Sequence, residues 1–231
     1  MKIVILCGGL GTRLSEETKK VPKPMVKIGN LPILEHIMRI YEKHGYNEFI
    51  LALGYKKEKI VNYFKKSKKR NIKFIDTGID SLTGKRLLKL KKFLISDENF
   101  FLTYGDGLSN IDINKLLKYH KKNKKIATLS AVRPPARFGE LTLKKNGLVD
   151  KFSEKNQINQ GWINGGFFVF NRKVFNYLPK YQCMLEREPI TNLTRNKQLM
   201  AFKHDGFWQC MDTLRDKVLL NKIWKSGKSK W

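Results

Sequence analysis

Long apolar runs are missing from this sequence. No stretch approaches the ~18 residues that cross a bilayer as a helix, which excludes a helical integral membrane protein. The first run, Ile3-Val4-Ile5-Leu6-Cys7, breaks at Gly8-Gly9. That is short of the ~7–15 apolar residues of a signal-peptide core, so the run reads as the buried first strand of a cytoplasmic protein. Cysteine is scarce. Cys7, Cys183 and Cys210 are an odd number with no CxxC, which excludes a disulfide scaffold and a cysteine zinc site and suits free thiols. The four histidines, His36, His44, His120 and His204, are scattered. They read as structural or surface residues, with His36 and His44 on one helix, and no Ser/His/Asp grouping points to covalent catalysis. Internal repeats and low-complexity linkers are absent as well.

Acid is the other shortage. Lys and Arg number 47 against 20 Asp and Glu, a net charge of +27. The lysines gather in Lys65-Lys66-Ser67-Lys68-Lys69-Arg70, Lys89-Leu90-Lys91-Lys92 and Lys121-Lys122-Asn123-Lys124-Lys125. Each run falls at a helix end or a turn, the pattern of a solvated lysine-rich surface. Attraction of small anions and of a polyanion are the other readings. The interleaving of aromatic and basic residues typical of single-strand binders is absent, so no nucleic-acid or membrane partner is expected.

What is present is a globular composition, with 41% hydrophobic residues in 231, and an alternation of short elements. Strands are expected at 2–6, 48–53, 72–75, 100–104 and 127–132, and helices at 32–46, 57–64 and 111–121. Strand–helix alternation with strands apolar on both faces predicts a mainly parallel sheet covered by helices. The pattern changes after residue 133. Short strands joined by a turn at Lys145-Asn146-Gly147 are expected in 137–152, then a strand at 162–170 interrupted by Gly165-Gly166. Short helices at 173–178 and 190–194 and a closing helix at 213–225 complete the reading. The expectation is one α/β domain with a β-rich insertion. Residues 1–133 would be mainly nucleotide-binding, and 134–231 would bind sugar phosphate and close the site.

Cys7-Gly8-Gly9-Leu10-Gly11-Thr12-Arg13-Leu14 follows the first strand directly. Glycines there let backbone N–H groups approach a phosphate, at the sheet edge where open α/β folds bind ligands. The loop is neither a Walker A motif nor a full GxGxxG. It carries Arg13, whose guanidinium can hold two phosphate oxygens. Val21-Pro22-Lys23-Pro24-Met25 is a rigid stretch that can fix one cation; alone it reads more readily as a surface turn with an incidental lysine. Asp106 sits between glycines after a strand, a turn aspartate or a metal ligand. Asp212 precedes the closing helix, an N-cap or a metal ligand.

The glycine loop followed by Pro22-Lys23-Pro24-Met25 resembles the sugar nucleotidyltransferase family. Further motifs narrow the match to its cytidylyl subgroup: Ser81-Leu82-Thr83-Gly84-Lys85-Arg86, Tyr104-Gly105-Asp106-Gly107, Pro134-Pro135-Ala136-Arg137-Phe138-Gly139, Ile163-Asn164-Gly165-Gly166 and Trp208-Gln209-Cys210-Met211-Asp212-Thr213. The resemblance implies a Rossmann-like, GT-A-like fold. It implies a reaction of CTP with glucose 1-phosphate that releases pyrophosphate, with Mg²⁺ held by Asp106 and Asp212. Arg13 and Lys23 would be catalytic. Leu6, Gly8, Gly9, Leu10, Gly11, Thr12, Ser81, Arg86 and Gly105 would bind nucleotide. Glu154, Lys155, Asn164 and Gly165 would bind the sugar phosphate. It also implies a homo-oligomer. Another sugar 1-phosphate, another base such as UTP or dTTP, a non-catalytic nucleotide-sugar sensor and a polyanion binder stand as rival readings. Two departures stand out. The segment between Gly54-Tyr55-Lys56 and Asp76 is shorter than in relatives, and Glu154-Lys155 is followed by Asn156 where relatives have proline.

Overall fold

The computed structural model describes residues 1–65, 70–134, 140–153 and 161–231, and at 140–143 and 151–153 the backbone only. β1 (Ile3–Leu6) is buried at every position. A 3-10 turn at Thr12–Leu14 and the one-turn α1 (Ser15–Thr18) carry the chain out of the glycine loop. Pro22 precedes a second 3-10 turn, Lys23–Met25, and Pro24 lies within it. The ribbon β2 (Lys27–Ile28) and β3 (Leu31–Pro32) then feeds α2 (Ile33–Glu42). Next come β4 (Glu48–Leu53), α3 (Lys57–Phe64), β5 (Asn71–Asp76), α4 (Thr83–Lys89) and α5 (Lys91–Leu94). They are followed by β6 (Asn99–Tyr104), β7 (Gly107–Ser109), α6 (Ile113–Asn123) and β8 (Ala127–Val132). The last part holds the hairpin β9 (Glu140–Leu143) and β10 (Val149–Ser153), then β11 (Ile163–Asn171), a 3-10 turn at Arg172–Tyr177, α7 (Glu188–Arg195), β12 (Leu199–His204), β13 (Trp208–Cys210) and α8 (Leu214–Lys225).

Seven strands form the central sheet, in the order β12-β8-β11-β6-β1-β4-β5. All neighbours run parallel except at β11, which is antiparallel to both β6 and β8. Successive residues of β1, β4, β6 and β11 feed opposite cores. Ile3 and Ile5 of β1, Phe49 and Leu51 of β4 and Phe167 of β11 pack beneath α2, α3, α6 and α8. Val4, Ile50, Phe100 and Phe168 pack against α4, α5, α7 and the 3-10 turn after β11. That two-sided burial is why these strands lack polar alternation. Phe167, Phe168 and Phe170 are core residues, as the sequence indicates.

Two expectations change, one holds and one strand is new. The helix at 32–46 ends at Glu42, because Gly45 turns left-handed at φ 86° and its N–H caps Glu42. His44 therefore lies beyond the helix rather than on it. The lysine-rich stretch after Asp80 reads as a turn and strand; it is α4 and α5. Leu87, Leu90 and Leu94 recur at helical spacing and are fully buried, while Lys91 and Lys92 are exposed. Gly165-Gly166 interrupts the pairing of β11 with β8, as expected, though the strand itself runs on. The strand shifts register between Asn164 and Phe168 and continues. β12, at the sheet edge, is unexpected because it is half exposed and lacks an apolar run.

β1 sits mid-sheet. The chain leaves it toward β4 and β5, then returns to its other side at β6. The strand order reverses there, and such a switch point opens a crevice at the carboxyl ends of the strands. The loops after β1 and β6 flank it.

Candidate active site

A cavity of about 520 Å³ fills that crevice. On its lining the Lys23 ammonium donates to two acids, 2.7 Å from Asp106 Oδ2 and 2.7 Å from Asp212 Oδ1. Arg13 reaches in from solvent and pairs with the other oxygen of Asp212. Burial works to lower the Lys23 pKa, but Asp106 and Asp212 outweigh it and hold the ammonium above its ordinary value. The two prolines flanking Lys23 keep its backbone from wandering.

The acids are brought together by strand pairing. β13 runs antiparallel to β7, with Cys210 opposite Gly107, and Met211 N–H donates to Asp106 O at 2.8 Å. Asp212 is not the N-cap of α8. Thr213 is, in a capping box with Asp216. The Asp216 carboxylate accepts from the N–H groups of Asp212 and Thr213 at 3.0 and 2.8 Å. That leaves the Asp212 side chain for the cavity. Gly105 fits because a Cβ there would lie 3.0 Å from both Leu6 O and Pro24 Cγ.

Arg86 organises the opposite wall. Its guanidinium is almost wholly buried and donates to Leu53 O, Thr77 Oγ1, Gly78 O, Gly8 O and Ile79 O at 2.6–3.1 Å. It thereby ties the glycine loop to the end of β4 and to the loop after β5. Ser81 Oγ, nearby, donates to Thr77 O and accepts from Lys89 Nζ. Gly9 and Leu10 N–H groups make no hydrogen bond among the described residues, and Gly11 turns left-handed at φ 67°. These are donors open to an anion.

Most residues singled out in the sequence line this one cavity: Leu6, Gly8, Gly9, Gly11, Thr12, Arg13 and Lys23 from the first motifs, and Ser81, Arg86, Gly105, Asp106, Asn164 and Asp212 from the rest. Leu10 is half exposed and off the lining. Gly165 is buried in packing instead. A Cβ there would strike Ser130 and Val132, and its carbonyl accepts from Trp208 Nε1. Glu154 and Lys155 lie outside the described residues, as do Pro135 to Gly139. Tyr104 and Thr83, quoted in motifs but given no role, line the cavity too, as does Glu186, which no motif marked. Two thiols adjoin it, and burial keeps both protonated. It pushes Cys7 far up and, with Asp106 and Asp212 adding, Cys210 up to about 12.

No group of three or more His, Cys, Asp or Glu side chains suited to a metal occurs among the described residues. The pair Asp106 and Asp212 nevertheless already closes on one cation, the Lys23 ammonium. Two hard oxygen donors, with the remaining positions left to phosphate and water, fit a divalent ion of the Mg²⁺ type. Among the described residues no helix is long and apolar enough to cross a membrane.

The family model for nucleotidyl transferases matches residues 2–215. The glucose-1-phosphate cytidylyltransferase of Salmonella typhimurium is 45% identical over 254 aligned positions, covering 100% of this chain and 98% of that one. The probable glucose-1-phosphate cytidylyltransferase of Bacillus subtilis is also 45% identical, over 100% of this chain and 99% of its own. Those alignments are longer than the 231 residues here, so the relatives carry extra residues within the aligned span. Among solved structures, HddC from Yersinia pseudotuberculosis in complex with GMP-PN superposes with a TM-score of 0.74 at 25% identity, covering 96% of this chain and 99% of that one. The mixed sheet, the glycine loop at its switch point and the match over residues 2–215 agree, and the chain belongs to the nucleotidyl transferase family.

Proposed function

We propose that this chain transfers the cytidylyl group of CTP to glucose 1-phosphate, giving CDP-glucose and pyrophosphate. One observation carries the reading. In a chain 45% identical end to end to glucose-1-phosphate cytidylyltransferases, the side chains of Asp106 and Asp212 converge on Lys23 beside the glycine loop.

The residues divide the work as follows. Leu6 and the loop from Gly8 to Thr12 cradle the triphosphate with backbone N–H groups. Arg13 and Lys23 neutralise it. Asp106 and Asp212 would hold the metal. A divalent ion is general in this family, and we assign Mg²⁺, which when bound supplies charge neutralisation at the phosphates. Ser81, Arg86 and Gly105 shape the nucleoside side. Asn164, with Glu154 and Lys155, serves the sugar phosphate. That substrate is already an anionic nucleophile. It needs alignment with the α-phosphorus and relief of charge repulsion, not a general base. Attack forms the new P–O bond as the bond to pyrophosphate breaks, in line. Lys23 has two alternative partners in this scheme: the two acids in the free protein, and phosphate oxygens once substrate arrives.

The product suits a place in surface-sugar synthesis in the cytoplasm, and we assign a homo-oligomer. Replacing Asp106 or Lys23 by Ala stops pyrophosphate release while circular dichroism shows the fold intact. Retained turnover in either variant overturns the assignment.

A further inference from the structure

Three acids among the described residues line the cavity, and two of them, Asp106 and Asp212, are paired with cations. Glu186 lines the cavity, and among the described residues no lysine or arginine pairs with it. Neutral hydroxyls hold it instead. Oε1 accepts from Tyr104 Oη at 2.5 Å and Oε2 from Thr83 Oγ1 at 2.6 Å.

Both hydroxyls are themselves fixed. Thr83 Oγ1 accepts from Leu185 N–H at 2.8 Å. Gly84 and Lys85 N–H donate to Cys183 O, and Leu82 N–H donates to Gln182 Oε1. The segment 182–186 is thus laid onto the amino end of α4, and Gly84 allows it, since a Cβ there would lie 2.5 Å from Cys183 Sγ. Tyr104 stands edge-on to Phe168, and Gly166 makes room for its ring, because a Cβ there would sit 2.6 Å from Tyr104 Cδ2. Burial, with Glu186 adding, keeps the Tyr104 phenol protonated and therefore a donor. Asn164 Nδ2 lies 3.5 Å from the same hydroxyl.

A carboxylate offers about four acceptor sites. The structure fills two of them and leaves the residue exposed in the cavity. Its charge repels phosphate and favours a hydroxyl donor. We infer that Glu186 is a specificity-determining residue that accepts hydrogen bonds from a hydroxyl of the bound substrate, on the sugar ring or the ribose. The inference rests on the nucleotidyl transfer proposed above. It gives Thr83, Tyr104 and Asn164 a common role, that of presetting and flanking one acceptor.

The test compares wild type with Glu186→Ala and Glu186→Gln. kcat/KM is measured for glucose 1-phosphate and its monodeoxy analogues, and for CTP against its 2′- and 3′-deoxy forms. Wild type prefers the hydroxylated substrate at one position by at least about tenfold. In Glu186→Ala that one preference falls to within about twofold and the others stay. Its position says whether the hydroxyl belongs to the sugar or the ribose. Preference ratios unchanged at every position overturn the inference, as does one equal loss for all substrates, the mark of a structural role. Should wild type turn nothing over, the proposed function falls by itself. The same ratios, read as calorimetric affinities for these nucleotides and sugar phosphates, then decide about Glu186.

Discussion

Arg86 occupies the space that a side chain at Gly8 would need. Its Nη2 donates to Gly8 O at 2.8 Å, and a Cβ built on Gly8 would lie 2.1 Å from its Nη1. Gly54 is pinned by the same guanidinium, 2.7 Å from its own would-be Cβ. Three motifs far apart in the chain therefore interlock at one buried cation.

Gly8→Ala is expected to lower kcat/KM at least about a hundredfold by displacing the loop, as about 1 Å misplacement does elsewhere. Arg86→Lys keeps the charge but loses the planar fork, leaving carbonyls unsatisfied at a cost of about 2–4 kcal/mol. The double variant Gly8→Ala/Arg86→Ala gives the sharper reading. Relief of the clash makes its loss smaller than the sum of the single losses, as a double-mutant cycle reports. Strict additivity contradicts the interlock.

Lys23 also serves the resting protein. Without it, Arg13 is the one cation left paired with either Asp106 or Asp212 among the described residues. Lys23→Met is expected to lower the melting temperature in chelator and to gain more stability than wild type from added Mg²⁺, because the ammonium no longer competes. Differential scanning calorimetry with and without Mg²⁺ checks both. An equal Mg²⁺ shift in the two proteins counts against a shared cation site.

Stability away from the cavity rests on a second charged cluster. Arg70 grips Glu35 through two nitrogens at 2.6 and 2.8 Å and also pairs with Glu42. Arg70→Ala is expected to cost about 3–5 kcal/mol in urea unfolding, since it strands a buried acid, while kcat at permissive temperature stays near wild type. Burial works to raise the Glu35 pKa, but Arg70 and Arg39 prevail and hold it below the usual carboxylate range. A depressed acid lends stability above its unfolded pKa and loses it as pH falls through the folded one. The Arg70→Ala deficit therefore shrinks in that acid range.

His120 titrates with a different consequence. Burial, helped by Lys121, pulls its pKa from 6.5 down to about 4. The ring lies between Thr128 Oγ1 and Asn99 Oδ1. The unfolded chain binds a proton near 6.5 that the folded chain refuses until about 4. This contribution is complete above pH 6.5 and declines as pH falls toward 4, by up to about 3 kcal/mol. His120→Gln flattens that slope in urea melts between pH 7.5 and 5. An unchanged slope refutes it.

Strands buried on both faces are the part of the fold most legible in the sequence. Glu48–Leu53 and Ala127–Val132 form over the spans that their apolar runs mark. α4 was hidden because Thr83-Gly84-Lys85-Arg86 has turn-like composition and its buried leucines come only afterwards. In the site, Asp106, Asp212, Lys23 and the glycine loop stand out because each sits in a short, unusual motif. Arg86 is different. Its motif was visible, but its five partners are carbonyls and a hydroxyl up to 78 residues away, which no local pattern announces. Glu186 lies in Glu186-Arg187-Glu188, a run that reads as solvated surface until Tyr104 and Thr83 are seen to hold it.

The central claim is nucleotidyl transfer from CTP to glucose 1-phosphate. Pyrophosphate release, measured with Mg²⁺, glucose 1-phosphate and CTP, UTP, dTTP, ATP or GTP in separate reactions, tests it most directly. The account predicts release with CTP, with CDP-glucose as the co-product by mass, and little or none with the other four. Release with another nucleotide and not CTP contradicts the assigned base. Silence with all five, from folded protein, contradicts the assigned reaction with glucose 1-phosphate.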